Sequence, residues 1–164
     1  MSVVRNCGEL GINLQKIIQR LLANQNLLKY LYYSDKDPLS GADLTETQIR
    51  QEITEKLIKI VPRVGPKETA QSLIALRIVR ASRNKDNLEF TDILIQIEVF
   101  TPMTQWIIKD TNLRPFAIIG EIQNSLDNKI INGLGRIQGG EFDLNFLTDE
   151  MSCYEVSYRI TDYE

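Results

Sequence analysis

The apolar residues of the chain change their spacing midway, and the change divides it into a helical part and a sheet-forming part. Leu10, Leu14, Ile17, Leu21, Leu28 and Leu31 recur at intervals of three, four or seven, with Asn24 at the one missing step. That rhythm predicts one long amphipathic helix over residues 9–33. It ends where Ser34, Asp35, Lys36 and Asp37 lead into Pro38, whose ring disfavours helix at the residue before it. Residues 38–43 read as loop. Ile49, Ile53, Leu57 and Ile60 form a second helical stripe, and Thr45 with Gln48 has the spacing of a capping box, so a helix is predicted over 44–61. The run Leu57, Ile58, Lys59, Ile60 and Val61 suits a strand equally well, and Pro62, Gly65 and Pro66 close the segment.

Beyond Pro66 the period falls to two. Ile74, Leu76 and Ile78 alternate with Ala75, Arg77 and Val79, and after a polar connection over 82–87 Ile93, Ile95, Ile97 and Val99 alternate with Leu94, Gln96 and Glu98. These are two strands of a hairpin. Helical spacing returns over 111–128, with Phe116, Ile119, Ile122 and Leu126 on one face and Pro115 in the first turn, where its missing N–H costs nothing. This helix is expected to lie across the sheet. Strands are predicted at 134–146 and 152–163, the latter with Tyr154, Val156, Tyr158 and Ile160 in alternation. The predicted fold is a single α+β domain over 1–164, with a helical part at about 9–61 and a sheet-plus-helix part at about 67–164. Its sheet is mainly antiparallel, four-stranded or slightly larger, packed against helices and preceded by the long N-terminal helix, because hairpin-length connections join antiparallel neighbours.

Composition narrows the chemistry. The 164 residues include no histidine, which removes Ser-His-Asp and Cys-His nucleophilic sites and histidine metal sites, and two cysteines cannot build a structural zinc centre. Acid–base work would fall to carboxylates, Lys or Tyr. No catalytic residue, cofactor site or metal site is predicted. A net charge of -3 and an isoelectric point near 5.2 argue against a general binder of nucleic-acid backbone, and the mean hydropathy of -0.20 against an integral membrane protein or a disordered chain. Cys7 and Cys153, near opposite ends, read as ordinary thiols in a reducing compartment. No unbroken apolar stretch follows the first basic residue, so a secretory signal is not expected, and no segment has the length of a bilayer-spanning helix.

Four groups of residues invite a functional reading. Asp92 and Glu98 lie six apart on one strand and so on one face, a geometry in which divalent-metal nucleases hold Mg²⁺. The lysine such sites place two positions further on is replaced by Phe100, and the simpler reading puts Gln96 and Glu98 on the solvated face of a half-buried strand. Gly133, Gly135, Gly139 and Gly140 lack the Gly-Lys-Ser/Thr ending and the following helix of a phosphate loop, which leaves turns and bulges as their use. Tyr30, Tyr32 and Tyr33 with Trp106 offer a stacking platform for bases, but on an acidic chain core or protein-interface packing is the better reading. Arg77, Arg80, Arg83 and Lys85 form the densest basic stretch, either a solvated hairpin or a strip lining a DNA passage.

The element order and three segments resemble the tail-terminator and tail-completion proteins of tailed bacteriophages. The segments are residues 26–33 with Asp37, Pro38 and Leu39; the strand running into Thr101 and Pro102 with Trp106, Ile107 and Ile108; and residues 113–115 leading into 116–122. The closing strand pair after Gly133, Leu134 and Gly135 also follows the family's habit. The resemblance implies a non-enzymatic virion structural protein at the head–tail joint, made in the host cytoplasm. It would assemble with itself as a ring, commonly a hexamer, on the head-proximal end of the tail tube. Its partners would be the tail tube protein and the neck or connector protein, with DNA passing through the lumen without specific binding. A ring needs two different faces of each subunit in contact. Tyr32, Tyr33, Asp37, Pro38, Arg80, Arg83, Lys85 and Trp106 are the expected contact residues, because the loop over 34–43 and the hairpin over 80–87 are polar and flanked by strong elements. A head-side neck or stopper protein of similar fold is the alternative within this class, and a Mg²⁺-dependent nuclease using Asp92 and Glu98, or a small host-directed interaction module, the alternative outside it.

Overall fold

A computed structural model describes residues 10–60, 71–83, 91–131 and 134–161. Glu9, Val61, Pro62, Gly65, Pro66, the hairpin tip with Lys85, Gly133 and Tyr163 lie outside the described residues, as does Cys7. The predicted N-terminal helix is two helices, α1 (Leu10–Leu22) and α2 (Gln25–Tyr32). Asn24 causes the break. Its backbone is extended, at φ -96 and ψ 98, and its side-chain oxygen accepts from the N–H of Leu27, capping α2. Its amide nitrogen donates to Glu121 Oε2 at 2.9 Å and Ser125 Oγ at 2.9 Å, fixing the corner to a later helix. Periodicity ran through the corner because Leu14, Ile17, Leu21, Leu27, Leu28 and Leu31 all reach the same core.

A helix starts at Thr45 with the predicted capping box, the Thr45 side chain accepting from Gln48 N and the Gln48 side chain from Thr45 N. It begins as α3 (Glu46–Gln48) and widens into a π-helix (Ile49–Leu57). Its apolar residues Ile49, Ile53 and Leu57 recur every four positions with none at three, a spacing that a turn wider than 3.6 residues tolerates. Both predictions for this segment hold, since the helix gives way to strand β1 (Ile58–Lys59) at the residues that suited either.

The sheet has six strands, more than the four expected: β1, then β2 (Leu73–Arg83), β3 (Thr91–Pro102), β4 (Ile130–Ile131), β5 (Gly135–Leu147) and β6 (Met151–Thr161), in the order β1-β2-β3-β6-β5-β4. The two additions are the short outermost strands. β1 pairs with β2 in parallel and every other neighbour is antiparallel. One sheet face buries Ile93, Ile95, Ile97 and Val99 of β3 with Val156, Tyr158 and Ile160 of β6, in the alternation read from the sequence. Helix α4 (Arg114–Leu126), with Pro115 in its first turn, contributes Ile118, Ile119, Ile122 and Leu126 to that core, and α1 and α2 pack on it from outside. Phe116, predicted on the buried stripe, is 38% exposed, because α4 turns Ile118 inward in its place.

Gly139 and Gly140 make the bulge expected of them. Both have positive φ, 124 and 84, and a Cβ on Gly139 would strike the carbonyl oxygen of Ser157. The bulge shifts the β5–β6 register by one residue, which decides which face each later residue of β5 occupies.

Arg114 opens α4 fully buried, with no exposed surface. Its guanidinium donates to four backbone carbonyls: Nε to Gln105 at 2.9 Å, Nη1 to Tyr30 at 2.7 Å and Tyr33 at 2.8 Å, and Nη2 to Asp35 at 2.5 Å. The Tyr30 and Tyr33 carbonyls lie at the end of α2, where the last turn leaves acceptors without helical partners. Burial lowers the guanidinium pKa, and the nearby Asp35 opposes that shift. A lysine in this place has a single ammonium and no planar fork, so it cannot reach four carbonyls at once. Arg114→Lys is expected to lower the free energy of urea unfolding by about 2–4 kcal/mol; a loss under about 0.5 kcal/mol would show that solvent or neighbouring groups satisfy these carbonyls.

Candidate functional site

The expected contact residues fall in three places. Tyr32 and Tyr33 meet edge to face at 5.0 Å at the end of α2, half-buried, and the Tyr33 hydroxyl donates to the carbonyl of Ala42 at 2.9 Å. Asp37 pairs with Lys109 at 3.1 Å, and Pro38 is buried at the start of a 3-10 turn (Pro38–Ser40). This loop is therefore bound to its own subunit on both sides, by Lys109 and by the Arg114 contact to Asp35. Arg80 is exposed at the far end of β2, Arg83 ends that strand, and Lys85 lies outside the described residues. Trp106 belongs to a third place. Its indole N–H donates to Ser152 Oγ at 2.8 Å, and its ring meets Phe116 at 6.5 Å.

That third place is an apolar rim. Rings of Trp106, Phe116, Phe142 and Tyr154 form a continuous edge-on cluster with centroids 5.2–6.5 Å apart. It lies at the first turn of α4, where β5 runs on past the start of the helix. The register sets Phe142 opposite Val156 and Leu144 opposite Tyr154, on the sheet face that carries the helices, and a second shift before Phe146 sends that ring to the other face against Phe100. Phe142 is 46% exposed, Leu144 51%, Leu147 55% and the nearby Ile107 62%. From Glu141 to Glu150 every residue is exposed. Large apolar residues gathered in one exposed place mark contact surfaces more often than chance scatter does. Sequence reading grouped Trp106 with the α2 tyrosines, from which the structure separates it, and missed Phe142, Leu144 and Leu147, since Phe142 and Leu144 alternate with Glu141, Asp143 and Asn145 as in any half-buried strand.

The opposite sheet face carries the acids. Asp92 and Glu98 do share it, as predicted, but each is engaged with a different arginine. Asp92 binds Arg159 at 2.7 Å, and Arg77 contacts both Glu98 and Glu155 at 2.9 Å while its Nε donates to Gln96 at 3.1 Å. The expectation that Glu98 faces solvent is wrong: it is 5% exposed, covered by the Arg77 bridge to Glu155. Among the described residues no three or more Cys, Asp or Glu side chains converge as a metal site. Cys153, in the same neighbourhood, is a buried free thiol with its pKa pushed up to about 12 by burial first and Glu98 second, so it is not an activated nucleophile.

A protein-family model described as YomW matches residues 24–160 of the chain. The match opens at the Asn24 cap of α2 and runs into β6, so it takes in the whole sheet, α4 and the apolar rim and leaves α1 outside. No curated protein matches the chain.

The Glu98 carboxyl titrates above the ordinary carboxylate range because its burial outweighs the Arg77 charge, with Glu155 adding to the rise. A raised acid binds its proton more tightly folded than unfolded, so its contribution to stability falls as pH rises through the raised pKa. Glu98→Gln keeps the neutral form at all pH values. Its melting temperature relative to the wild type is expected to be higher at pH 7.5 than at pH 4.5; a difference that shrinks over that interval would show the Arg77 pairing outweighing burial.

Proposed function

The chain belongs to the YomW family, which is phage-associated, and from that premise we propose that it is a non-enzymatic structural protein of the virion, a tail-terminator or tail-completion subunit. In this reading it assembles with itself as a ring, with six copies as the expected number, at the head-proximal end of the tail tube. It joins the tube to the neck or connector protein, and DNA passes through its lumen without specific binding. The observation that carries the reading is the apolar rim of Phe142, Leu144 and Leu147 with Phe116 and Ile107, on the open side of the sheet. A subunit that works by assembly needs such a surface, and burying it would gain roughly 25 cal/mol for each Å² removed from water.

Two further features support it. The three segments that resemble the phage joint proteins come close together in space, since Arg114 in the third binds carbonyls of the first, at Tyr30 and Tyr33, its own N–H donates to the carbonyl of Trp106 in the second, and its guanidinium reaches Asp35 and Gln105 beside them. The carboxylates that a nuclease would need at Asp92 and Glu98 are taken up in pairs with Arg159 and Arg77.

Purified protein is expected to elute as a multimer in size-exclusion chromatography with light scattering and to give rings by negative-stain imaging. Antibody labelling is expected to mark the neck of the phage particle. A protein that stays monomeric at every concentration and is found away from the neck would overturn the reading.

A further inference from the structure

The sheet ends in two unlike edges. On one side β2 pairs with β1 only at Ile74 and Ala75, and its residues 76–83 have no strand outside them among the described residues. On the other side β5 pairs with β4 only at Gly135 and Arg136, and its residues 141–147 are likewise an open edge among the described residues. The β2 edge carries Arg77, Arg80 and Arg83, with Val79 48% exposed beside them. The β5 edge carries Glu141 and Asp143 and turns into Asp149 and Glu150, all exposed, beside the apolar rim. Two β5 edges would repel each other, and so would two β2 edges. Only the unlike pair attracts, which is the condition for a contact that propagates head to tail instead of closing as a two-fold dimer.

Strand direction agrees. β2 is antiparallel to β3, β3 to β6 and β6 to β5, so β2 and β5 run in opposite senses within one subunit. A neighbour rotated about an axis along the strands therefore presents its β2 antiparallel to this β5. Arg77, Gln96, Ser157 and Glu141 form one level row across the sheet. Sliding the neighbour by about four residues, roughly 13 Å, sets the open stretch of one edge beside the open stretch of the other. Spread over the four strands from β2 to β5, that is about one residue per strand, the kind of stagger that tilted strands need in a closed sheet.

We propose that the β5 edge of one copy takes up the β2 edge of the next, so that the sheet continues from subunit to subunit around the ring. Asp143 then faces Arg80 on the sheet face that carries Glu98, with Glu141 next to that pair at the level of Ser82, and the rim residue Leu144 lies beside Ile78 and Val79. The backbone N–H and C=O groups left open on both edges become paired. This inference rests on the ring proposed above and specifies its contact.

Two charge-reversal variants test it, Arg80→Glu, and Glu141→Arg with Asp143→Arg, each compared with the wild type by size-exclusion chromatography with light scattering. Each variant alone is expected to assemble at least tenfold more weakly than the wild type. An equimolar mixture of the two is expected to recover assembly, because every contact between alternating copies again joins opposite charges, and that recovery also shows both to be folded. If the wild type forms rings while either variant does so equally well, the edge pairing is overturned and the ring stands. The same holds if both variants are folded by circular dichroism, fail alone and stay apart when mixed. A wild type that never assembles overturns the ring and the edge pairing together.

Discussion

The end of α2, the loop after it and the start of α4 are held together by one buried cation. Arg114 donates from one guanidinium to carbonyls at Tyr30, Tyr33, Asp35 and Gln105. These groups come from the end of α2, the loop directly after it and the turn after β3, the last about seventy residues further along the chain and with no ladder in common with the others. An exposed guanidinium would make these bonds in competition with water; a fully buried one has no other acceptors, so moving any of the three stretches leaves both a carbonyl and a charge unsatisfied. The direction of α2, the course of the loop through Asp37 and Pro38, and the seating of the first turn of α4 are consequences of the same constraint. The N–H of Arg114 also donates to the carbonyl of Trp106 at 2.8 Å, which links the buried knot to the aromatic rim at the surface.

Much of this architecture could be read from periodicity because apolar spacing reports burial, and burial is what the sheet and its helices share. The β3 and β6 alternations, the α4 stripe, the Pro115 start and the Thr45–Gln48 capping box all appear where local pattern and tertiary packing demand the same thing. The failures have physical causes. Asn24 looked like a gap in a helix because its use, capping α2 while binding Glu121 and Ser125, depends on a helix about a hundred residues away. The strands β1 and β4 are two residues long, too short to show any period.

The candidate surface was harder to read than the fold. Phe142 and Leu144 alternate with polar residues just as buried strand residues do, and nothing local says that β5 runs on past the first turn of α4. Glu98 erred the other way: a charged residue in an alternating strand reads as exposed, yet Arg77 reaches across to join it to Glu155 and shuts out water. Arg114 was visible as a helix-start residue before Pro115, and its role could not be seen, because four backbone carbonyls leave no mark in the side-chain pattern. The two sheet edges, one basic and one acidic, were likewise separate features of the sequence. Topology makes them the two ends of one object.

With the edge pairing proposed above, the molecule has a part that is complete in one copy, built around Arg114, and a part that an assembly would complete, the edges at 76–83 and 141–147. Hydrogen–deuterium exchange on the dissociated and assembled protein tests that division most directly. The account predicts that amides of residues 76–83 and 141–147 gain protection on assembly, while those of α2 and the first turns of α4 are protected equally in both states. Protection gained at the helical layer, with both sheet edges exchanging as fast in the assembly as in the single subunit, would contradict it.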